Sequence, residues 1–241
     1  MEEEIKIPLK NKKYIYGILR GSLDKPLVIF VHGFTGYKNE HQFFNAARFF
    51  EKNSFSAFRF DLYSWKEDAR KLEECTLSLH GQDLDTVVDY FRKKDVKKIF
   101  VVGHSFGGVT VLLSKKKDFD AAVLWDSSGD KDVKLKAKYV KELDKYYYQH
   151  DSAFGFTISK EMYQENNNKL KPSELIKEMH VPIKVIVAGA GIMISEGKKL
   201  FQNANEPKAI AIIPNATHCF DEDGVEENLF QETYVWVKKF V

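Results

Sequence analysis

The 241-residue sequence predicts an α/β fold, a mostly parallel sheet with helices on both faces. Three observations predict it. Short, continuous apolar runs alternate with amphipathic helical stretches along most of the chain. A hairpin-like pair of runs opens it. One strand-like run, 99–102, passes directly into Gly103-His104-Ser105-Phe106-Gly107-Gly108 and then into a helix-compatible segment.

Each element has its own signal. Residues 5–9 and 13–19 flank a polar Lys10-Asn11-Lys12 turn and predict an antiparallel hairpin. Residues 27–31, after Pro26, form an uninterrupted apolar strand. Helical spacing in 41–52 puts Phe43, Phe44, Ala47 and Phe50 on one side. Strand 56–60 ends at Asp61, and a long helix, 76–93, carries Leu79, Leu84, Val87, Val88 and Phe91 on its apolar face. Strand 99–102 and helix 105–116 flank the serine turn, and 121–125 is a sixth strand. The rhythm then stops. Residues 127–180 are polar, charged and tyrosine-rich, with no strand–helix alternation. It resumes with strand 183–188, helix 195–202, strand 209–213 and a closing helix, 225–240.

This pattern divides the chain into a core, 1–126 and 181–241, and an insertion, 127–180. Structureless loops of about 50 residues are uncommon in compact domains, so the insertion is expected to fold. Its place after the sixth strand puts it above the C-terminal sheet edge, where open α/β sheets bind ligands.

Composition excludes several classes. The chain is 44% hydrophobic, enough for one sizeable core. A net charge of +2, with mixed signs, gives no nucleic-acid footprint. Lys115-Lys116-Lys117 reads as a solvated helix end. No apolar run approaches membrane-spanning length, and the acidic start Met-Glu-Glu-Glu lacks signal-peptide character. Two distant cysteines, Cys75 and Cys219, make no disulfide framework and fit a reducing cytoplasm. Cys219 is expected to be a small buried hydrophobe. No pattern indicates a metal or cofactor, and the oligomeric state is left open.

The chemistry concentrates at Ser105. Gly-x-Ser-x-Gly between a strand and a helix is a nucleophile elbow. Gly103 and Gly107 allow the close approach, Ser105 is exposed at the tip, and the Phe106 amide at the helix start can face a developing oxyanion. A serine hydroxyl also needs a base. His218, in Asn215-Ala216-Thr217-His218, follows the last strand and comes after the nucleophile in chain order. A second oxyanion donor is expected at the Phe34 amide, in His32-Gly33-Phe34-Thr35-Gly36. His104 is expected to pack the elbow, His32 to support its loop, and Asp61 to organise a neighbouring loop. His41, His80, His150 and His180 carry no motif.

These residues give a resemblance. His-Gly-Phe-Thr-Gly at 32–36, Arg59-Phe60-Asp61, Gly-His-Ser-Phe-Gly-Gly at 103–108 and Val181-Pro182-Ile183 after the insertion are similar to α/β-hydrolases, most of all the small cinnamoyl/feruloyl-esterase-like branch of serine esterases. The resemblance spans nearly the whole chain. It implies the α/β-hydrolase fold, an eight-stranded core, a small cap after strand 6 and acyl-ester hydrolysis through an acyl-enzyme.

One departure matters. Such esterases carry their acid in a Gly-x-x-Asp turn after the strand equivalent to 183–188. Here the turn reads Gly189-Ala190-Gly191-Ile192, with Ile192 at the acid position. Asp126, directly after the sixth strand, is the first replacement; Glu196, Asp221, Glu222 or no acid at all are the alternatives. Trp125 beside it is a candidate wall of the acyl pocket. The insertion's Tyr139, Tyr146, Tyr147, Tyr148, Phe154, Phe156 and Tyr163 suit an aromatic or short-to-medium acyl group, or form the cap's own small core.

The leading expectation is a serine carboxylic ester hydrolase acting on a small-molecule ester. A peptidase or thioesterase would use the same machinery. A non-hydrolytic ligand-binding protein on this fold is the alternative from another class.

Overall fold

The computed structural model describes residues 2–9, 12–149 and 154–241. The Lys10-Asn11 part of the expected hairpin turn, and His150, lie outside them. β1 (Glu2–Pro8) and β2 (Tyr14–Arg20) pair antiparallel, as the opening pattern predicts. The uninterrupted apolar runs become β3 (Leu27–Val31), β4 (Ser56–Asp61), β5 (Ile99–His104) and β6 (Ala121–Trp125), in which every residue is buried. A strand covered on both faces cannot alternate apolar with polar, hence the continuous runs.

After β6 the chain forms a separate antiparallel sheet of β7 (Ala137–Val140), β8 (Lys145–Gln149) and β9 (Gly155–Ile158). The main sheet resumes with β10 (Ile183–Ala188) and β11 (Lys208–Ile213). Its eight strands run in the order β1-β2-β4-β3-β5-β6-β10-β11, and all neighbours from β4 to β11 are parallel.

Seven α-helices occur among the described residues: α1 (His41–Lys52), α2 (Leu77–Arg92), α3 (Phe106–Leu113), α4 (Lys160–Asn168), α5 (Pro172–Leu175), α6 (Ile194–Asn203) and α7 (Val225–Val237). Successive strand residues point to opposite sides. Val28 and Phe30 join Phe43 and Phe50 of α1 and Leu229 and Phe230 of α7. Ile29 and Val31 join Leu84 and Phe91 of α2 and Leu200 of α6. The two cores thus lie on the two faces of one sheet. Among the described residues, no helix is long and apolar enough to cross a membrane.

Several boundaries differ from the sequence expectation for physical reasons. Thr76 is not the first helical residue but the N-cap of α2, its hydroxyl accepting the Leu79 N–H at 3.1 Å. α3 stops at Leu113 because Asp85 of α2 captures the chain, accepting from Ser114 Oγ (2.6 Å), Lys115 N (3.0 Å) and Lys116 N (3.3 Å). The strands β7–β9 escape a pattern reading because their residues are mostly half-buried or exposed and β8 is a Tyr146-Tyr147-Tyr148 run. A residue apolar at its body and polar at its tip erases the alternation that marks a strand.

Two expectations are corrected. Trp125 does not line an acyl pocket: its side chain is fully buried, stacks on Phe43 and donates from Nε1 to Thr233 Oγ1 at 2.8 Å. Its place in β6 turns it toward α1 and α7. Cys219 is exposed, because Phe220, at φ 55°, puts its own ring into the core instead.

Candidate active site

Parallel strands end at a common edge, and here the ends of β3, β5, β6, β10 and β11 each lead into a turn that bears on the site. Ser105 joins β5 to α3 with φ 55° and ψ −121°, a conformation that costs on the order of 1–3 kcal/mol for a non-glycine residue. The surroundings over-determine it. The Ser105 N–H donates to Trp125 O at 3.0 Å, and its carbonyl accepts from Gly108 N at 3.0 Å and Ser128 N at 3.2 Å. A Cβ on Gly103 would sit 2.3 Å from Gly107 O, and one on Gly107 would sit 2.1 Å from Val31 O. Both positions therefore require glycine. Ser105 Oγ makes no hydrogen bond among the described residues and is partly exposed at the tip.

Asp126 directly follows the neighbouring strand, β6. It is 2% exposed and itself strained, at φ 38°. Its N–H donates to Ile186 O at 2.7 Å, and its Oδ1 accepts the Ala188 N–H at 3.1 Å. Oδ2 accepts from His218 Nδ1 at 2.7 Å. The carboxylate thus reaches across from β6 to the end of β10. A Cβ on Gly191 would lie 3.6 Å from Oδ2, so the turn that replaces Gly-x-x-Asp faces this same carboxylate. Ile192, at the position of the usual acid, is 91% exposed.

His104 does more than pack the elbow. Its Nε2–H donates to the His218 carbonyl at 2.8 Å, and the two rings lie 4.6 Å apart. It ties the loop after β11 to the residue preceding Ser105. Burial, reinforced by the neighbouring His218, pushes the His104 imidazole down to about 3, so it stays neutral. His32 supports its loop as expected: Leu62 N–H donates to its Nε2 at 3.0 Å, and Nδ1 pairs with Gly33 O at 2.8 Å.

The other candidate acids have different partners. Glu196 Oε2 accepts from Asp130 N at 2.8 Å, and Glu222 Oε1 from Thr217 N at 2.7 Å. Asp61 holds the 36–40 turn through Lys38 N at 2.8 Å and Lys38 Nζ at 2.5 Å.

Gly33 packs directly on the serine; a Cβ there would be 3.0 Å from Ser105 Cβ. The rings of Phe34 and Phe106 meet at 5.3 Å, and Tyr148 of β8 meets Phe34 edge-on at 5.2 Å. The insertion's aromatics divide. Tyr146 stacks on Tyr163 at 3.7 Å within it, Tyr148 reaches the Phe34 ring, and Tyr139, Tyr147 and Phe154 are exposed.

Glu40 carries no sequence signal, yet it sits by the site. Its Oε1 would be 2.8 Å from a Cβ on Gly36, and burial raises its carboxyl to about 7, opposed by His41 and His218. A cleft of about 640 Å³ lies elsewhere, between α2 and the β1–β2 edge. Arg70–Asp83, Lys13–Glu74 and Lys116–Asp89 ion pairs line it, and none of Ser105, Asp126 or His218 does. Among the described residues no three His, Cys, Asp or Glu groups are placed to hold a metal ion.

A strained serine turn at the strand edge of a mostly parallel sheet, beside a half-buried histidine paired with a buried aspartate, defines a class of α/β protein. The chain belongs to the alpha/beta hydrolase family, whose model matches residues 28–169. Solved structures agree on the fold. Est1E from Butyrivibrio proteoclasticus, solved with ferulic acid bound, superposes with a TM-score of 0.82 at 18% identity over 98% of each chain. The esterase domain of a Rhodothermus marinus protein gives 0.77 at 17% identity, over 100% of this chain and 99% of that one. Dienelactone hydrolase from Anabaena variabilis gives 0.74 at 15% identity, over 100% and 98%. No curated protein sequence matches the chain.

Proposed function

We propose that the protein is a serine hydrolase of carboxylic esters, with Ser105 as nucleophile, His218 as base and Asp126 as the acid that orients it. The observation that carries this reading is the 2.7 Å bond from His218 Nδ1 to the buried Asp126 carboxylate. It fixes the proton on Nδ1 and leaves the Nε2 lone pair to take the Ser105 proton. Ser105 Oγ attacks the acyl carbon, and the carbonyl oxygen becomes an oxyanion. The amides of Phe34 and Phe106 are its donors; Phe106 opens α3, so its N–H has no helical acceptor. His218 then protonates the leaving alcohol, and water hydrolyses the acyl-enzyme by the reverse proton path.

The strain at Ser105 supports the same reading, since a non-glycine residue at φ 55° persists where the surroundings demand it. Esters are favoured because the structural neighbours with printed activities include esterases, and because apolar rings, not cations, flank the serine turn. The 127–180 segment acts in this reading as a cap that contributes Tyr148.

The test is intact-mass analysis after treatment with a fluorophosphonate. One adduct on the wild-type chain and none on Ser105→Ala is the expected result. A folded chain that takes no adduct refutes the serine mechanism and favours a ligand-binding role.

A further inference from the structure

The cleft of about 640 Å³ between α2 and the β1–β2 edge takes no part in the chemistry at Ser105, yet its volume is that of a small-molecule site. Pro8, Leu9 and Leu79 give it an apolar side. Its charges are matched. Lys13 pairs with Glu74, Lys116 with Asp89 and Arg70 with Asp83. Asp85 is held by the Ser114 hydroxyl and the Lys115 and Lys116 main-chain N–H groups. Such a cleft gives neither a cation nor an anion an unpaired counter-charge.

One of these pairs is incomplete in its hydrogen bonds. Asp83 and Asp85 sit two residues apart on α2 and are both buried, at 2% and 7% exposure. Asp85 accepts three hydrogen bonds, shared between its two oxygens. Asp83 accepts one, from Arg70 Nη1 to Oδ2, and its Oδ1 has no donor among the described residues. That oxygen is not sealed in the core, because Asp83 lines the cleft. Arg70 lines it too, with a side chain 14% exposed, and its Nε and Nη2 groups meet no acceptor among the described residues. A carboxylate has about four acceptor sites and a guanidinium five N–H donors, and buried ones are normally filled. Burial raises the Asp83 carboxyl to about 6 against the pull of Arg70, as befits a carboxylate short of donors. Neither packing nor charge balance accounts for the idle oxygen and the idle N–H groups side by side.

We propose that this cleft is a second binding site, separate from Ser105, in which the Arg70–Asp83 pair holds two adjacent hydroxyl groups of a neutral sugar. One hydroxyl donates to Asp83 Oδ1, and its neighbour accepts from the free N–H groups of Arg70. Hydroxyl groups can play both parts, whereas an ammonium only donates and a carboxylate only accepts. Gln82, exposed on the rim with no side-chain hydrogen bond of its own among the described residues, takes a further hydroxyl. Pro8, Leu9 and Leu79 suit the C–H face of the ring. None of Ser105, Asp126 or His218 lines the cleft, so the site does not depend on the ester-hydrolase reading.

The experiment follows backbone-amide NMR shifts as the methyl glycosides of glucose, galactose and mannose are titrated into the wild type and Ser105→Ala. The amino sugar and the uronate that match the tightest binder are titrated next, and that binder is then titrated into Asp83→Asn and Gln82→Ala. At least one neutral glycoside is expected to give saturable shifts around Asp83 on α2 and Lys13 before β2, equal in the wild type and Ser105→Ala. Its amine and acid analogues should bind more weakly. Asp83→Asn should weaken the neutral glycoside about tenfold, and Gln82→Ala about threefold. No saturable shifts with any of the three glycosides overturns the proposal. So do shifts centred on Ser105, a tighter fit for either charged analogue, or an affinity that Asp83→Asn leaves intact. If Asp83→Asn does not fold, Gln82→Ala decides, and an unchanged affinity there overturns the proposal.

Discussion

The strand-edge site and the small sheet after β6 are built in opposite ways. Ser105 and Asp126 directly follow strands in which every residue is buried, and their main-chain N–H groups are bonded to carbonyls of the neighbouring strands. In β7–β9, Ile158 is the one fully buried strand residue among those described, and contact with the core passes mainly through side chains such as Ile158 and Met162 on Phe106 and Val109. A group fixed by main-chain hydrogen bonds in a close-packed interior holds its position to a fraction of an ångström. A segment resting on side-chain contacts can change residue by residue. In the proposed reading the edge carries the chemistry, and the β7–β9 sheet is where ligand preference can vary.

The comparison breaks most sharply at the edge. Ser105→Ala is expected to lower ester kcat by about 10⁶-fold without changing the melting temperature appreciably, as read by steady-state kinetics with calorimetry alongside. Asp126→Asn keeps the shape but reverses the donor pattern offered to His218 Nδ1, and should lower kcat by about 10⁴-fold. A near-wild-type kcat/KM for that variant would remove Asp126 from its role.

Stability separates the two regions by a smaller margin. Phe58 is fully buried, stacks on Phe60, meets Phe91 edge-on at 4.7 Å and covers Gly17. Phe58→Ala should cost about 3–5 kcal/mol in denaturant unfolding. Leu143, 55% exposed between β7 and β8, should cost within about 0.5 kcal/mol as Leu143→Ser. Comparable losses would mean that the small sheet is as tightly coupled to the core as the strands are.

A pH dependence is also expected. Burial holds His80 and His104 at about 3, below the ordinary 6.5. The unfolded chain therefore binds protons that the folded chain refuses. Their contribution is fully present above 6.5 and is lost as pH falls toward 3. Glu40, raised to about 7 from 4.5, has the opposite sign: its contribution is present below 4.5 and is lost as pH rises to 7. Melting temperatures from pH 4 to pH 8 should fall less steeply on the acid side in His80→Phe, and less steeply on the neutral side in Glu40→Gln.

Much of the site was legible because its signals are local. The Gly103–Gly107 spacing around Ser105 reports a turn too tight for side chains, and the contacts at Gly103 and Gly107 have that cause. The apolar runs of β3, β5 and β6 were legible because burial on both faces leaves no polar position. The sequence also narrowed the partner of His218 to a few carboxylates, with Asp126 first, from its place after a strand. His104 could be read only as packing, because its bond to the His218 carbonyl joins residues 114 positions apart. His80 carried no motif at all; its lack of any partner arises only once α2, α3 and the loop after β3 are packed together.

By itself the sequence determined the α/β class, the strand–turn–helix at Ser105, the histidine after the last strand and the loss of the usual acid turn. These follow from spacing within a few residues, where backbone geometry and side-chain size act directly. Tertiary structure decided which carboxylate meets His218. β6 lies beside β10 in the sheet, so Asp126 can accept the Ala188 amide and His218 Nδ1 from the two oxygens of one carboxylate. Strand order is set by how apolar faces throughout the chain are buried together, and no local pattern encodes it.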